Sequence, residues 1–289
     1  MRSLKLTALV LLLACTALPL HPATAQQPAV TTDPAPNPSA PTRSIETVID
    51  SHGSRIMGVF LLASGTEPHR TVILLHGFPG YEQNMDLAQS LRRDGWNVLA
   101  MHYRGAWGSQ GVFSFSHCME DVSAMLAYVT EPANAQKFHI DTHRIVVIGH
   151  SMGGFLTVAA LAQHPEIKAG VVITEGSPVH DDADYFGGKP DPADLVPLAG
   201  ASRAALEQEA KAHAAAWTFA AFAQKITPRP VLDISANDGL RASNDALVAA
   251  LKQAGSPVTS IHFDTDHGFS DHRIALESAI LKWLDDTVR

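Results

Sequence analysis

The chain reads as an α/β protein built on a mostly parallel, doubly wound sheet, and three observations carry that reading. Short runs dense in Val, Ile, Leu and Ala recur at 71–76, 97–102, 144–149, 169–175, 230–235 and 258–263, and continuous apolar runs suit strands covered on both faces. Helical spacing fills the gaps, at 82–94, 117–130, 152–164, 243–254 and 272–288. Met119, Val122, Leu126 and Val129 recur at three and four, and Leu276, Ile280 and Leu284 at four. Regular alternation of strand and helix places the strands parallel in one sheet.

At the N-terminus, Arg2 and Lys5 precede an apolar run at 6–14, and Ala23-Thr24-Ala25 offers small residues for cleavage. Residues 1–25 therefore read as a secretory signal peptide, with an apolar run too short for an ordinary spanning helix. The expected product is exported, periplasmic or secreted, and begins at Gln26. Leu12-Leu13-Ala14-Cys15 also resembles a bacterial lipoprotein cleavage box. In that alternative Cys15 carries lipid and tethers the protein to a membrane.

Without residues 1–25 the chain has 19 basic against 29 acidic residues, a net charge of −10. Such a balance argues against a nucleic-acid partner. Cys118 is then the one remaining cysteine, which excludes an intrachain disulfide and reads as a small buried hydrophobe. Residues 26–43 hold five prolines among small polar residues, the composition of an extended or disordered linker. The folded domain is expected over 44–289, beginning with two β-rich runs at 45–50 and 55–63 joined by Ser51-His52-Gly53-Ser54, a hairpin. That brings the sheet to eight strands.

More than fifty residues separate the strands at 169–175 and 230–235, far beyond a plain connection. The insertion, about 177–228, opens with a polar loop at 177–197. A helix at 201–222 comes next, with Leu206, Ala210, His213 and Trp217 on one face. It reads as a small helical lid, the alternative being a helix that extends the outer layer of the sheet.

Between the strand at 144–149 and the helix from 152 lies Gly149-His150-Ser151-Met152-Gly153, which fits G-x-S-x-G in strand-turn-helix context, the nucleophile elbow. A serine hydroxyl needs a base, and the base needs a third group to orient it. Asp238 follows the seventh strand in Asn237-Asp238-Gly239, and His267 follows the eighth in Asp266-His267-Gly268-Phe269. Both sit past strand C-termini, the edge where open α/β sheets place their sites, in the order Ser, acid, His. Glu175 is the substitute acid; Asp233 falls inside a strand. His262 and His272 are less well placed than His267. An acyl-transfer intermediate also needs oxyanion donors. The N–H of Met152 is one, and His76-Gly77-Phe78-Pro79-Gly80 after the third strand supplies the other at Phe78, since Pro79 has none.

From about 45 to 289 the chain resembles the α/β-hydrolase family, on HGFPG at 76–80, YRGAWGSQG at 103–111, GHSMGG at 149–154, NDG at 237–239 and DHGF at 266–269. It is similar in particular to exported serine esterases and to the catalytic domains of acyl-aminoacyl and prolyl-type peptidases. The resemblance implies the α/β-hydrolase fold, Ser151 as nucleophile with Asp238 and His267, and an active-site border at 103–111. Many relatives carry aspartate where this chain has His102.

A serine at 151 excludes the chemistries of related folds that need a carboxylate there. No HExxH or Cys/His cluster is present, so neither a metal nor any other cofactor is expected. His180-Asp181-Asp182 reads as a solvated loop rather than a cation site. Trp107, Phe113, Phe115, Trp217 and Phe219 offer either aromatic walls for a substrate or packing for lid and loop. The expected activity is hydrolysis of carboxylic esters, acting on a small-molecule ester or short acylated substrate. The alternatives are a peptidase or amidase on short peptides and a non-catalytic binding protein of the same fold.

Overall fold

The computed structural model describes residues 27–179 and 192–289. The expected signal peptide, Gln26, the Cys15 alternative and His180-Asp181-Asp182 lie outside the described residues. Eight strands form one sheet: β1 (Arg43–Ser51), β2 (Ser54–Leu62), β3 (His69–Leu75), β4 (Asn97–Met101), β5 (Ile140–His150), β6 (Ala169–Ile173), β7 (Val231–Ser235) and β8 (Val258–His262). Their order is β1-β2-β4-β3-β5-β6-β7-β8. β2 pairs antiparallel with β1 and β4, and the rest of the sheet is parallel. The hairpin turns through His52 and Gly53, both at positive φ.

The helices are α1 (Pro28–Thr31), α2 (Met85–Arg93), α3 (Phe115–Thr130), α4 (Pro132–Lys137), α5 (Met152–Gln163), α6 (Arg203–His213), α7 (Phe219–Ile226), α8 (Arg241–Ala254) and α9 (Arg273–Thr287). Side chains alternate across a strand, so each central strand feeds two cores. Ile73 and Leu75 of β3 with Ile145 and Val147 of β5 face one core, shared with α3, α5 and α7. Val72 and Leu74 with Val146 and Ile148 face the other, under α2 and α9. Both faces of the sheet are thereby covered, which accounts for the continuous apolar runs.

Two expectations need correction. The segment before β1 is no free linker: Ala29 and Val30 pack against the second core, and the Arg93 guanidinium donates to the Ala29 and Val30 carbonyls. The single helix expected at 201–222 is two. Thr218 caps α7, its hydroxyl accepting from the Ala221 N–H at 3.2 Å, and the chain turns at 214–218, where Trp217 stacks on His213 with ring centroids 4.4 Å apart. α7 packs against α5 and α8 in the outer layer, and α6 reaches α3. The outer-layer alternative thus describes α7. Cys118 is buried, and burial pushes its thiol pKa well up.

Candidate active site

β5 runs directly into α5 through Ser151, whose backbone is at φ 56° and ψ −123°. A non-glycine residue at such a φ is strained, and the surroundings hold it there. Ser151 N–H donates to the Ile173 carbonyl, and the Ser151 carbonyl accepts from the N–H groups of Gly154 and Gly176. Strand and helix can approach this closely because of the flanking glycines. A Cβ on Gly149 would lie 1.9 Å from the Gly153 oxygen, and one on Gly153 would lie 2.3 Å from the Leu75 oxygen. Met152 begins α5, so its N–H is one of the helix's unpaired first donors, in the region that favours negative charge.

Two backbone segments close around the serine. A Cβ at Gly77 would meet Ser151 Cβ at 2.8 Å, so the 76–80 loop lies against the elbow. At Gly176 a Cβ would lie 3.3 Å from Ser151 Oγ and 3.6 Å from Met152 N. Glycine there leaves the hydroxyl and the amide open. Phe78 packs its ring on Phe113 at 5.8 Å.

Asp238 and His267 meet across the ends of β7 and β8, with Nδ1 of His267 2.7 Å from Oδ2 of Asp238. The Asp238 side chain is 3% exposed and that of His267 is 42% exposed. Asp238 also accepts from the Thr174 hydroxyl and from the Leu240 N–H at 3.0 Å. Burial alone would raise this carboxyl. The hydrogen bonds from His267, Thr174 and Leu240 outweigh it and hold the pKa at about 2. The imidazole is thus fixed with Nδ1 on a carboxylate, leaving Nε2 for proton transfer.

The other acids and histidines are engaged elsewhere. Glu175 is buried and turned toward α8, accepting from the Ser243 hydroxyl at 2.9 Å. Asp233 accepts from Ser260 at 3.0 Å. His262 is bonded to Ser235 and Asn237, and His272 to Asp271. Among the proposed aromatic walls, Phe113, Phe115, Trp217 and Phe219 are buried packing residues, whereas Trp107 is 37% exposed. Its Nε1 donates to the Pro79 carbonyl at 2.7 Å, which ties the 103–111 loop to the 76–80 loop.

Further residues hold the groups around the site in place. Thr174, at φ 41°, follows the end of β6, which stops two residues short of the 169–175 run, and points its hydroxyl at Asp238. Arg104 anchors the 103–111 loop on the fully buried Asp121, with Nε 2.6 Å from Oδ1. His102 bonds through Nδ1 to Nε2 of His76 at 3.3 Å. Burial lowers the pKa of both, that of His76 to about 4. The one sequence signal for Thr174 and Gly176 is their position: both border the end of β6, at the sheet edge that carries the other groups.

Residues 70–275 match the family model described as alpha/beta hydrolase fold. The chain is 32% identical over 112 residues to acylamino-acid-releasing enzyme 1 of Oryza sativa subsp. japonica, covering 35% of this chain and 14% of that protein. It spans less than half the length of the curated relatives it matches. Among solved structures it is similar to a hyperthermophilic esterase from the archaeon Pyrobaculum calidifontis, with a TM-score of 0.67 and 20% identity over 87% of this chain and 88% of that one. The Pyrococcus horikoshii acylaminoacyl peptidase matches with a TM-score of 0.65 and 18% identity, over 86% of this chain and 42% of that one. With the sheet order, the elbow at the end of β5 and a family match over most of its length, the chain belongs to the alpha/beta hydrolase fold family.

Proposed function

We propose that this protein is a serine hydrolase that cleaves carboxylic esters through an acyl-enzyme. The observation that carries the proposal is Ser151 in a strained elbow at the end of β5, on the same sheet edge as a His267–Asp238 pair whose carboxylate is held ionised. Ser151 Oγ attacks the ester carbonyl carbon while Nε2 of His267 takes its proton, and Asp238 stabilises the imidazolium. The N–H groups of Met152 and Phe78 serve the oxyanion. Collapse breaks the bond to the alkoxy oxygen, which leaves as the alcohol with the proton from His267. Water, deprotonated by His267, then releases the acid and restores Ser151. His267 carries every proton in the cycle, so the steps balance on this chain's own residues.

Esterases and acylaminoacyl peptidases among the structural neighbours support both an ester and a peptide reading. Rates on p-nitrophenyl esters and on aminoacyl p-nitroanilides separate them. The ester reading expects kcat/KM to favour the esters by more than intrinsic reactivity dictates; rapid anilide cleavage would move the substrate class to peptides. Export of the mature chain from Gln26 is part of the same proposal.

A further inference from the structure

We propose that His150, the residue before the nucleophile, is a positioning residue for His267: its Nε2–H holds the main-chain carbonyl of the base. The inference rests on the reading of Ser151, Asp238 and His267 as a hydrolytic triad. His150 is the last residue of β5, its side chain buried, and its Nε2 lies 2.8 Å from the His267 oxygen. A carbonyl only accepts, so the proton sits on Nε2. The neutral ring then keeps a bare Nδ1, which is buried with no hydrogen-bond partner among the described residues. A leucine would fill this space without that cost. The polar ring is explained by what its other nitrogen holds.

His267 sits on the loop between β8 and α9. Its side chain is secured through Nδ1 on Asp238, which leaves the main chain of the loop to be fixed by other means. His150 bonds its carbonyl, and the two rings lie 4.6 Å apart. The next carbonyl, that of Gly268, accepts from Arg273 Nη1 at 3.0 Å, and Arg273 is itself held by Asp86 at the start of α2. Two successive carbonyls are thus pinned, one of them by the neighbour of Ser151. The elbow and the base are thereby registered to each other through the end of β5. His150 must also stay neutral, because a charge there would oppose the imidazolium formed during turnover. Burial, with His267 adding to it, lowers its pKa to about 3.

Glutamine and asparagine discriminate this role from mere packing. The glutamine amide nitrogen reaches roughly where Nε2 sits, whereas that of asparagine reaches only the Nδ1 position. With the full mature chain and a p-nitrophenyl ester, His150→Asn should lower kcat by roughly 10²-fold with KM changed less than about 3-fold, the scale of a small misplacement of a catalytic group. His150→Gln should recover most of that loss. In both variants circular dichroism and the low-field Nδ1–H resonance of His267 on Asp238 should persist. Equal rates for the two variants, or a loss confined to KM, would overturn the proposal. Should neither variant fold, imidazole ¹⁵N shifts of the unaltered protein decide it: His150 is expected as the neutral Nε2–H tautomer, and a charged ring or an Nδ1–H tautomer contradicts it. A wild-type protein inert to both ester and fluorophosphonate would instead count against the triad reading, and the same ¹⁵N shifts would still decide the contact.

Discussion

At the scale of single residues, the acid is the most informative group. Asp238 is buried yet ionised, because three donors converge on it. Asp238→Asn keeps the shape but favours the wrong imidazole tautomer, so kcat should fall by about 10⁴, as the same exchange does in serine proteases. Glu175→Gln should cost far less, since Glu175 faces Ser243 and not His267. Measured kcat values for the two variants, with folding confirmed, discriminate them; a crippled Glu175→Gln beside an active Asp238→Asn would place the acid after β6. The depressed pKa also has a sign for stability. Asp238 contributes on the order of 2 kcal/mol above its unfolded value near 4, and the contribution is lost as pH falls toward 2. Asp238 should therefore add no step to the pH–rate profile above about pH 3, and a step there lost in Asp238→Asn would contradict the depressed value. The strand-end positions of Ser151, Asp238 and His267 were legible because each comes after a strand in a short polar motif. Thr174, Gly176 and His150 were not, because their partners lie 64, 25 and 117 positions away or across a backbone contact that no local pattern encodes.

At the scale of elements, periodicity located the strands and main helices, since a covered sheet demands apolar runs and its helices an apolar face. It failed at α6 and α7, where one helical face spans a turn that only the Thr218 cap and the Trp217–His213 stack create. It also missed that α1 is held by Arg93, as a proline-rich composition says nothing of a guanidinium waiting on α2. β7 carries a liability of its own. Asp233 is buried beside Ser260, and burial raises its pKa to about 7. A group raised in the folded state contributes stability below its unfolded value near 4, and that contribution is lost as pH rises through 7. Asp233→Asn keeps an acceptor for the Ser260 hydroxyl and removes the buried charge, worth on the order of 4 kcal/mol. Its Tm should match wild type near pH 4 and exceed it by roughly 5 °C or more at pH 8. Equal Tm values at pH 8 would show that the carboxyl is ionised without penalty. At the elbow, Gly153→Ala drives a Cβ into the Leu75 carbonyl and should abolish soluble folding, as expression and circular dichroism would show.

At the scale of the whole molecule, the sheet gathers chemistry at one edge. Ser151, Thr174, Asp238 and His267 all lie beyond the C-terminal ends of β5 to β8, the general location of sites in open α/β sheets. Fold class was therefore legible from alternation alone, and the placement of Ser151, Asp238 and His267 at one sheet edge from the short polar motifs at the strand ends. The substrate was not, because the surfaces that select it are tertiary: of five aromatics read as walls or packing, four are buried in the core. Intact mass of protein recovered from an expressing cell tests export, with a chain starting at Gln26 expected and a lipidated Cys15 contradicting it. The central claim, that Ser151 is the nucleophile of a hydrolase, is tested most directly by treating the mature protein with a fluorophosphonate and mapping the adduct by peptide mass spectrometry. One adduct per chain on Ser151, accumulating in step with loss of p-nitrophenyl ester hydrolysis, is the predicted result. An active protein that remains unlabelled, or that loses activity through an adduct at another residue, would contradict it.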